Sequence, residues 1–418
     1  MPDTPDPRPP ARSTGRLAPL REPVFRAFLA ARFCSTMGNT LWRAALAWQV
    51  FEITGSELQL GVLGLAQFAP TLAFSLMSGA WADAHDRIRI IRGAQWVTLL
   101  SSAAVCLATA TGELNLWFLY AAVVSSSIAF AFENPAGSAV LPSLVPIEAF
   151  PQAVTVLSSV RNAGRLTGPA AMGFIIHSWD LAGAYAVHVA LLGISLTCLV
   201  FVHTAARPAP GQRANLAAVR EGLVFLRGKP AILGAMSLDL FAVIFGGAVA
   251  LLPVYATEIL HVGPRGYGIL AAALDAGTVG MGLVLIALPP MRRAGVALLV
   301  AVGGFGVATI LFGMSQDFSL SVAALVLAGM SDQVSMVARA LILQLSTPDA
   351  LRGRVNAVNM LFIGASNELG AAESGFLAAA TSAPFSVVFG GFACLGALAL
   401  AIVGLPSLRR YRIDAPGG

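Results

Sequence analysis

Charge is what this chain has least of. Only 11% of its 418 residues are Asp, Glu, Lys or Arg, and Lys229 is the one lysine. A soluble domain carries about 25% charged residues, so this composition cannot supply the polar shell that a soluble core needs. Cysteine is scarce too. Cys34, Cys106, Cys198 and Cys394 lie in apolar segments, with no CxxC and no histidine spaced for zinc. Neither a disulfide framework nor a metal site is expected, and the thiols read as small apolar filler. His85, His177, His188, His203 and His261 are scattered and form no cluster. GxxxxGK[ST], a nucleophile elbow and HExxH are all missing, which argues against nucleotide hydrolysis and against an enzyme. No cofactor is expected. The N-terminal stretch MPDTPDPRPPARSTGRLAPLREP has no apolar h-region or small-residue cleavage site. Residues 1–23 therefore read as a disordered tail, and the first span as its own uncleaved insertion signal.

Apolar sequence is what the chain has in abundance. Hydrophobic residues make up 57% and mean hydropathy is +0.77. Runs of about 18 or more apolar residues recur, each long enough to cross a bilayer. The expected fold class is an all-α membrane protein of twelve transmembrane helices. Their ranges are roughly 24–51, 58–82, 88–111, 115–141, 148–177, 181–204, 230–257, 266–289, 295–315, 318–345, 354–381 and 384–406. Arginine assigns the sides. Arg12, Arg16 and Arg21, then Arg87, Arg89 and Arg92, then Arg213, Arg220, Arg227 and Lys229 fall at alternate ends, and Arg292, Arg293, Arg352, Arg354, Arg409, Arg410 and Arg412 continue the pattern. The opposite loops carry Glu57, Glu113, Asp180 and Asp317, with Arg265 alone among basic residues. Both termini, including the tail 407–418, are then cytoplasmic. The net charge of +5 comes from these orienting turns and does not point to nucleic acid.

The segment 205–229 interrupts the rhythm, first Pro-rich and then a basic amphipathic helix suited to the inner membrane surface. It separates two six-helix halves, 24–204 and 230–406, and these resemble each other. A shift of 202 sets PIEAFPQAVTVLSSVRNAGRLTGPAAMGF over PDALRGRVNAVNMLFIGASNELGAAESGF, pairing Gly168 with Gly370 and Gly173 with Gly375. GVLGLAQFAPT at Gly61 likewise matches GILAAALDAGT at Gly268. Both halves start and finish on one side, so the repeat is parallel, about an axis normal to the membrane. Two pseudo-symmetric halves so related resemble the major facilitator superfamily.

Two motifs carry that resemblance further. GAWADAHDRIRIIR, after the second helix, is similar to the superfamily signature G-x-x-x-D-R-x-G-R-K/R. Gly79, Asp83 and Arg87 match, while Ala84 and Asp86 depart from it. The resemblance implies an inner gate, in which Asp83 caps a helix of the other half. The plainer reading is an orienting basic loop with one chance acid. In helix 5, GRLTGP resembles the exporter motif G-x-x-x-G-P-x-x-G-G through Gly164, Gly168 and Pro169, with Met172 in place of a glycine. Gly164 and Gly168 sit one turn apart and are expected to admit the backbone of the other half, and Pro169 frees the Arg165 carbonyl. Ordinary small-residue packing would explain the glycines equally well.

Charges within the spans need partners or a cavity. Arg161 and Arg165 lie ~20–26 Å along helix 5, near mid-depth. The superfamily fold sets helix 5 against helix 8, where Asp275 is the expected partner of one of them, unless both face an anionic cargo. Arg32 and Glu133 each lie ~12–14 Å from the cytoplasmic end. Shifts of 207 and 206 carry them onto Asp239 and Arg339 with the charges exchanged. Two ion pairs are expected, Arg32 with Glu133 and Asp239 with Arg339. They could be proton-carrying sites or static ties. Asn39, Arg43, Gln67, Asn134, Asp332, Asn367, Glu368 and Glu373 complete a polar cavity, with Asp332, Glu368 and Glu373 as alternative proton carriers.

LRGRVNAVNMLFIGASNELGAAESG in helix 11 resembles the enterobactin-exporter-like branch, near drug and macrolide efflux proteins. The resemblance implies a proton-coupled exporter, acting as a monomer, of a siderophore or other small amphipathic molecule across a bacterial inner membrane. The Ala- and Arg-rich composition fits a GC-rich bacterial genome. Import of lysophospholipid or another solute is the second transport reading. A non-transporting sensor or scaffold would predict a soluble signalling domain, and the sequence contains none.

Overall fold

The computed structural model describes residues 18–203, 221, 224–289 and 291–413, apart from the side chains at 18, 75, 76, 80, 82–84, 349, 350, 352, 353, 357, 360, 361 and 365. Among the described residues there are twelve helices of 16 residues or more and no strand. They are α1 Pro23–Thr54, α2 Glu57–Ala84, α3 Arg87–Thr111, α4 Leu116–Val140, α5 Phe150–Trp179, α6 Leu181–Val200, α7 Pro230–Phe245, α8 Gly263–Ala287, α9 Ala294–Met314, α10 Phe318–Ser346, α11 Asp349–Ala380 and α12 Ala383–Gly404. Eight of them, α3, α4, α6 to α10 and α12, are long and apolar enough to cross a membrane, α7 counted with its continuation to Ile259. Of the other four, α1, α5 and α11 carry most of the interior arginines and acids, which is why their apolar runs are interrupted.

Short turns fix the alternation, and polar caps end the helices. Asn115, Asp180, Asp317 and Ser382 accept from the first-turn amides of α4, α6, α10 and α12, while Gly55 and Gly112 close α1 and α3 in the left-handed conformation, each satisfying terminal backbone groups. All these turns lie at the end that carries Glu57, Glu113, Asp180 and Asp317, termed here the acidic end. Arg87, Arg89, Arg92, Arg292, Arg293 and Arg354 mark the opposite, basic end.

Helix 7 is not the continuous span that the sequence suggests. It breaks at Gly246–Gly247 and continues as the turns Ala248–Leu251, Leu252–Val254 and Tyr255–Ile259, the last of them π-helical. The break has a steric cause. A Cβ on Gly247 would lie 2.6 Å from the Gly370 carbonyl carbon, so the glycine lets α11 pass at backbone distance. Of the linker 205–229, residues 205–220, 222 and 223 lie outside the described residues, as do residue 204 and most of the tails. Glu221 pairs with Arg354 at 2.5 Å, and Leu226 is fully buried.

The apolar core is one body at the acidic end and two at the basic end. Trp42, Phe51, Leu63, Tyr185, Tyr255, Tyr267, Phe312 and Ala378 belong to a single cluster that draws on both sets of six helices. Toward the basic end, Phe28, Ile91, Val140 and Leu157 form one cluster within the first six helices. Ile232, Leu298, Ile342 and Val358 form a separate one within the last six. The two sets are therefore joined at the acidic end and part toward the basic end.

Glycine makes that joint. A Cβ on Gly375 of α11 would lie 2.5 Å from the Gly61 Cα of α2, and one on Gly173 of α5 would lie 2.8 Å from the Gly268 Cα of α8. In the repeat alignment Gly61 stands over Gly268 and Gly173 over Gly375, so each contact is the image of the other. One expectation is corrected here. Gly164 and Gly168 do not admit the last six helices. They face α1, where a Cβ would meet the Met37 amide nitrogen at 3.1 Å and the Met37 carbonyl at 2.6 Å respectively. At about 100° per residue, Gly173 lies half a turn round from Gly164, and it is Gly173 that meets α8.

Candidate functional site

The charged residues of the interior form four ion pairs, two within the sets of six helices and two between them. Arg32 Nη1 lies 2.9 Å from Glu133 Oε1, joining α1 to α4. Ser35 Oγ and Gln95 Nε2 donate to the same oxygen at 2.8 and 3.0 Å, and Ser195 Oγ donates to Gln95 Oε1 at 2.9 Å. Gly137 makes room, since a Cβ there would stand 3.1 Å from Arg32 Nη1. Both charges are buried, and burying them is tolerable because the carboxylate is paired and hydrogen-bonded. The corresponding pair in the last six helices joins Asp239 of α7 to Arg339 of α10, both buried, with Ser335 Oγ 3.4 Å from Asp239 Oδ1.

The other two pairs bridge the two sets. Arg165 Nη2 of α5 lies 3.0 Å from Asp275 Oδ1 of α8, so Arg165 is the arginine that takes this partner. Arg43 Nη2 of α1 lies 2.5 Å from Glu368 Oε1 of α11. This last pairing is not anticipated by the sequence reading, although depth carries the signal: each residue lies ~28–30 Å along its helix from the basic end. Below these bridges the acidic end is plugged by apolar packing. It includes Trp48 stacked on Tyr267 at 5.3 Å between ring centroids, with the Tyr267 hydroxyl donating to the Ala44 carbonyl at 3.1 Å.

Gln95, Ser35 and Ser195 are absent from the sequence reading because uncharged polar residues in a span are common helix ties. Gln95 nevertheless lies at the depth of Arg32. Gln95→Leu removes a hydrogen bond to a charged acceptor and is expected to lower stability by about 1.5–3 kcal/mol, measured as a fall in the thermal midpoint of the detergent-solubilised protein.

Of the residues expected at the inner gate, Arg87 is held within the first six helices. Arg87 Nη1 donates to the Ala139 carbonyl at 2.8 Å, and Arg92 donates to the Leu199 carbonyl. Both satisfy helix C-termini within the first six helices, where cations are favoured. Gly79 is half-buried in α2, and the side chain of Asp83 lies outside the described residues. Asp86, where the signature has glycine, accepts from the Ile88 and Arg89 amides at 2.9 and 3.4 Å and caps α3. His188 is fully buried, stacked on Trp42 with its Nδ1 2.8 Å from Ser102 Oγ. Among the described residues no three His, Cys, Asp or Glu side chains are grouped to hold a metal ion.

A family profile described as transmembrane secretion effector matches residues 14–414. The chain belongs to that family of the major facilitator superfamily. The enterobactin exporter EntS of Escherichia coli O1:K1 / APEC is 26% identical over 396 residues, covering 94% of each chain. The enterobactin exporter of Citrobacter koseri is 26% identical over 400 residues, again covering 94% of each chain. Among solved structures, a bacterial homolog of the human lysosomal transporter Spinster, inward-facing and occupied, superposes with a TM-score of 0.74 at 15% identity, covering 95% of this chain and 99% of that one. A POT family transporter in complex with a thioalcohol-conjugated peptide gives 0.71 at 10% identity, covering 92% and 96%. At such identities the likeness is one of fold. The chain is a multi-pass membrane transporter.

Proposed function

We propose that this family member is a twelve-span, monomeric secondary transporter with two pseudo-symmetric halves, and that it exports a small amphipathic molecule, siderophore-like or drug-like, across the bacterial inner membrane. Proton antiport with alternating access drives the cycle. The observation that carries this reading is the core, single at the acidic end and divided at the basic end, with four ion pairs between. Arginine-rich loops mark the cytoplasmic face, so the parted end opens to the cytoplasm, where an export cargo is loaded. The mirrored glycine contacts close the periplasmic end, and the enterobactin exporters among the relatives support the export direction and the cargo class.

Coupling is assigned to the carboxylates of the two intra-half pairs. An arginine holds its partner carboxylate charged while burial favours the neutral form, so a pair that loosens as the halves rock can take up and release a proton. Glu133→Gln and Asp239→Asn are expected to abolish pH-driven export from proteoliposomes while sparing downhill exchange. If both variants still couple export to the proton gradient, the carrier lies at Asp332, Glu368 or Glu373. Direction is tested in cells. A deletion strain should retain its amphipathic secreted product and release it on complementation, whereas depletion of the product inside the deletion strain would indicate an importer.

A further inference from the structure

Five arginines lie at interior positions of the helices, and four of them are neutralised. Arg32, Arg43, Arg165 and Arg339 each have a carboxylate within ion-pair distance. Arg161 has none, and it makes no hydrogen bond among the described residues. It is exposed, and the charges that act on it are two further cations, Arg32 and Arg165. Two nearby carboxylates are already engaged: Glu133 accepts from Arg32, Ser35 and Gln95, and Asp275 is held by Arg165. Asp332 of α10 interacts with Arg165 and Asp275 and forms no ion pair with Arg161 among the described residues. Arg161 and Arg165 stand one turn apart on α5, a spacing at which like charges repel, and at a depth where an unpaired cation is costly. An exposed guanidinium flanked by two other cations, with no carboxylate in ion-pair reach among the described residues, is an anion site awaiting its ligand.

We infer that Arg161 anchors a negatively charged group of the cargo. This rests on the exporter reading and narrows it to amphipathic molecules that carry a carboxylate, catecholate, sulfonate or phosphate. The planar guanidinium presents N–H donors that match such groups two at a time. Its position on the cytoplasm-facing side of the Arg165–Asp275 bridge lets the cargo be engaged before the two halves close over it. An anionic lipid headgroup shares this chemistry, and the experiment separates the two sources.

The test uses the full chain in phosphatidylcholine nanodiscs and two fluorescent probes, dansylaminoundecanoic acid and its methyl ester, which differ in one negative charge. The wild type is expected to bind the acid about tenfold more tightly than the ester, the effect of one charge-assisted hydrogen-bonded contact. Arg161→Gln should erase that difference and leave ester binding unchanged, while Arg161→Lys should keep part of it. The proposal is overturned if the wild type binds neither probe, if it binds acid and ester alike, or if Arg161→Gln weakens both equally, as a structural role would. Loss of acid binding when phosphatidylglycerol is added, seen only with Arg161 present, would assign the site to lipid and overturn the cargo assignment. Transport is read separately in proteoliposomes. Arg161-dependent binding of the acid with no pH-driven movement leaves this site standing and removes the export reading. Movement of both probes without preference does the reverse.

Discussion

Gly375→Ala and Gly173→Ala are each expected to drive the transporter out of the conformation seen here, toward one open at the acidic end. The added Cβ would sit 2.5 Å from the Gly61 Cα in the first case and 2.8 Å from the Gly268 Cα in the second. Those atoms are backbone, so no side chain can swing aside. Overpacking of this kind costs about 1–3 kcal/mol, and only the conformation with the acidic end closed bears that cost. A penalty of that size shifts the balance of two conformations by about 5- to 150-fold. Gly61→Ala meets the Ala372 carbonyl at a milder 3.1 Å and should act in the same direction with a smaller effect. The measurement is labelling by a membrane-impermeant maleimide of a cysteine placed at Ala378, which is 2% exposed, in a background without the four native cysteines. With Gly173→Ala the reporter lies at the other interface and is free of local disturbance. Faster labelling at Ala378 supports the shift. Unchanged labelling with lowered thermal stability would make the contact plain packing and sink the idea that it is the seal.

What the sequence reveals and what it conceals follow from the range of the interactions. Helices and their alternation are legible because a bilayer demands long apolar runs and the arginines sort the turns. The pairs Arg32–Glu133 and Asp239–Arg339 are legible because the repeat places opposite charges at equal depth in each half. The direction in which Gly164 and Gly168 face is not legible, since small residues one turn apart mark a close approach without naming the neighbour. Nor is the break in helix 7, because Gly246–Gly247 in an apolar run reads as tolerated until α11 is known to pass beside it. Arg43–Glu368 is hidden for a related reason: helices 1 and 11 are far apart in sequence, and only the fold makes their depths comparable. The free state of Arg161 is equally invisible, because it depends on Glu133 and Asp275 being engaged by other arginines.

That crowding of cations sets the last expectation. Glu133→Leu should be among the most destabilising substitutions in the chain, costing about 3–5 kcal/mol, because it leaves Arg32 as an uncompensated buried charge. The penalty is sharpened by Arg161, which acts on Arg32 as a like charge, and by Ser35 and Gln95, which lose their shared acceptor. Removing both charges is a different experiment. Arg32→Met combined with Glu133→Leu takes away the ion pair together with its desolvation cost, so most of the lost stability should return, and the double-mutant cycle should show a large coupling between the two positions. Thermal unfolding of the purified protein in one detergent, for the wild type, both single variants and the double variant, measures it. If Glu133→Leu alone is as stable as the wild type, Arg32 must find another counter-charge or reach water. If the double variant is no better than the singles, the geometry of the Glu133 network, rather than its charge balance, holds α1, α3 and α4 together. The transport arm then separates stability from coupling: a double variant that is folded and still binds cargo, yet moves it only downhill, places the proton at this pair, whereas pH-driven export by the same variant removes it from the coupling mechanism.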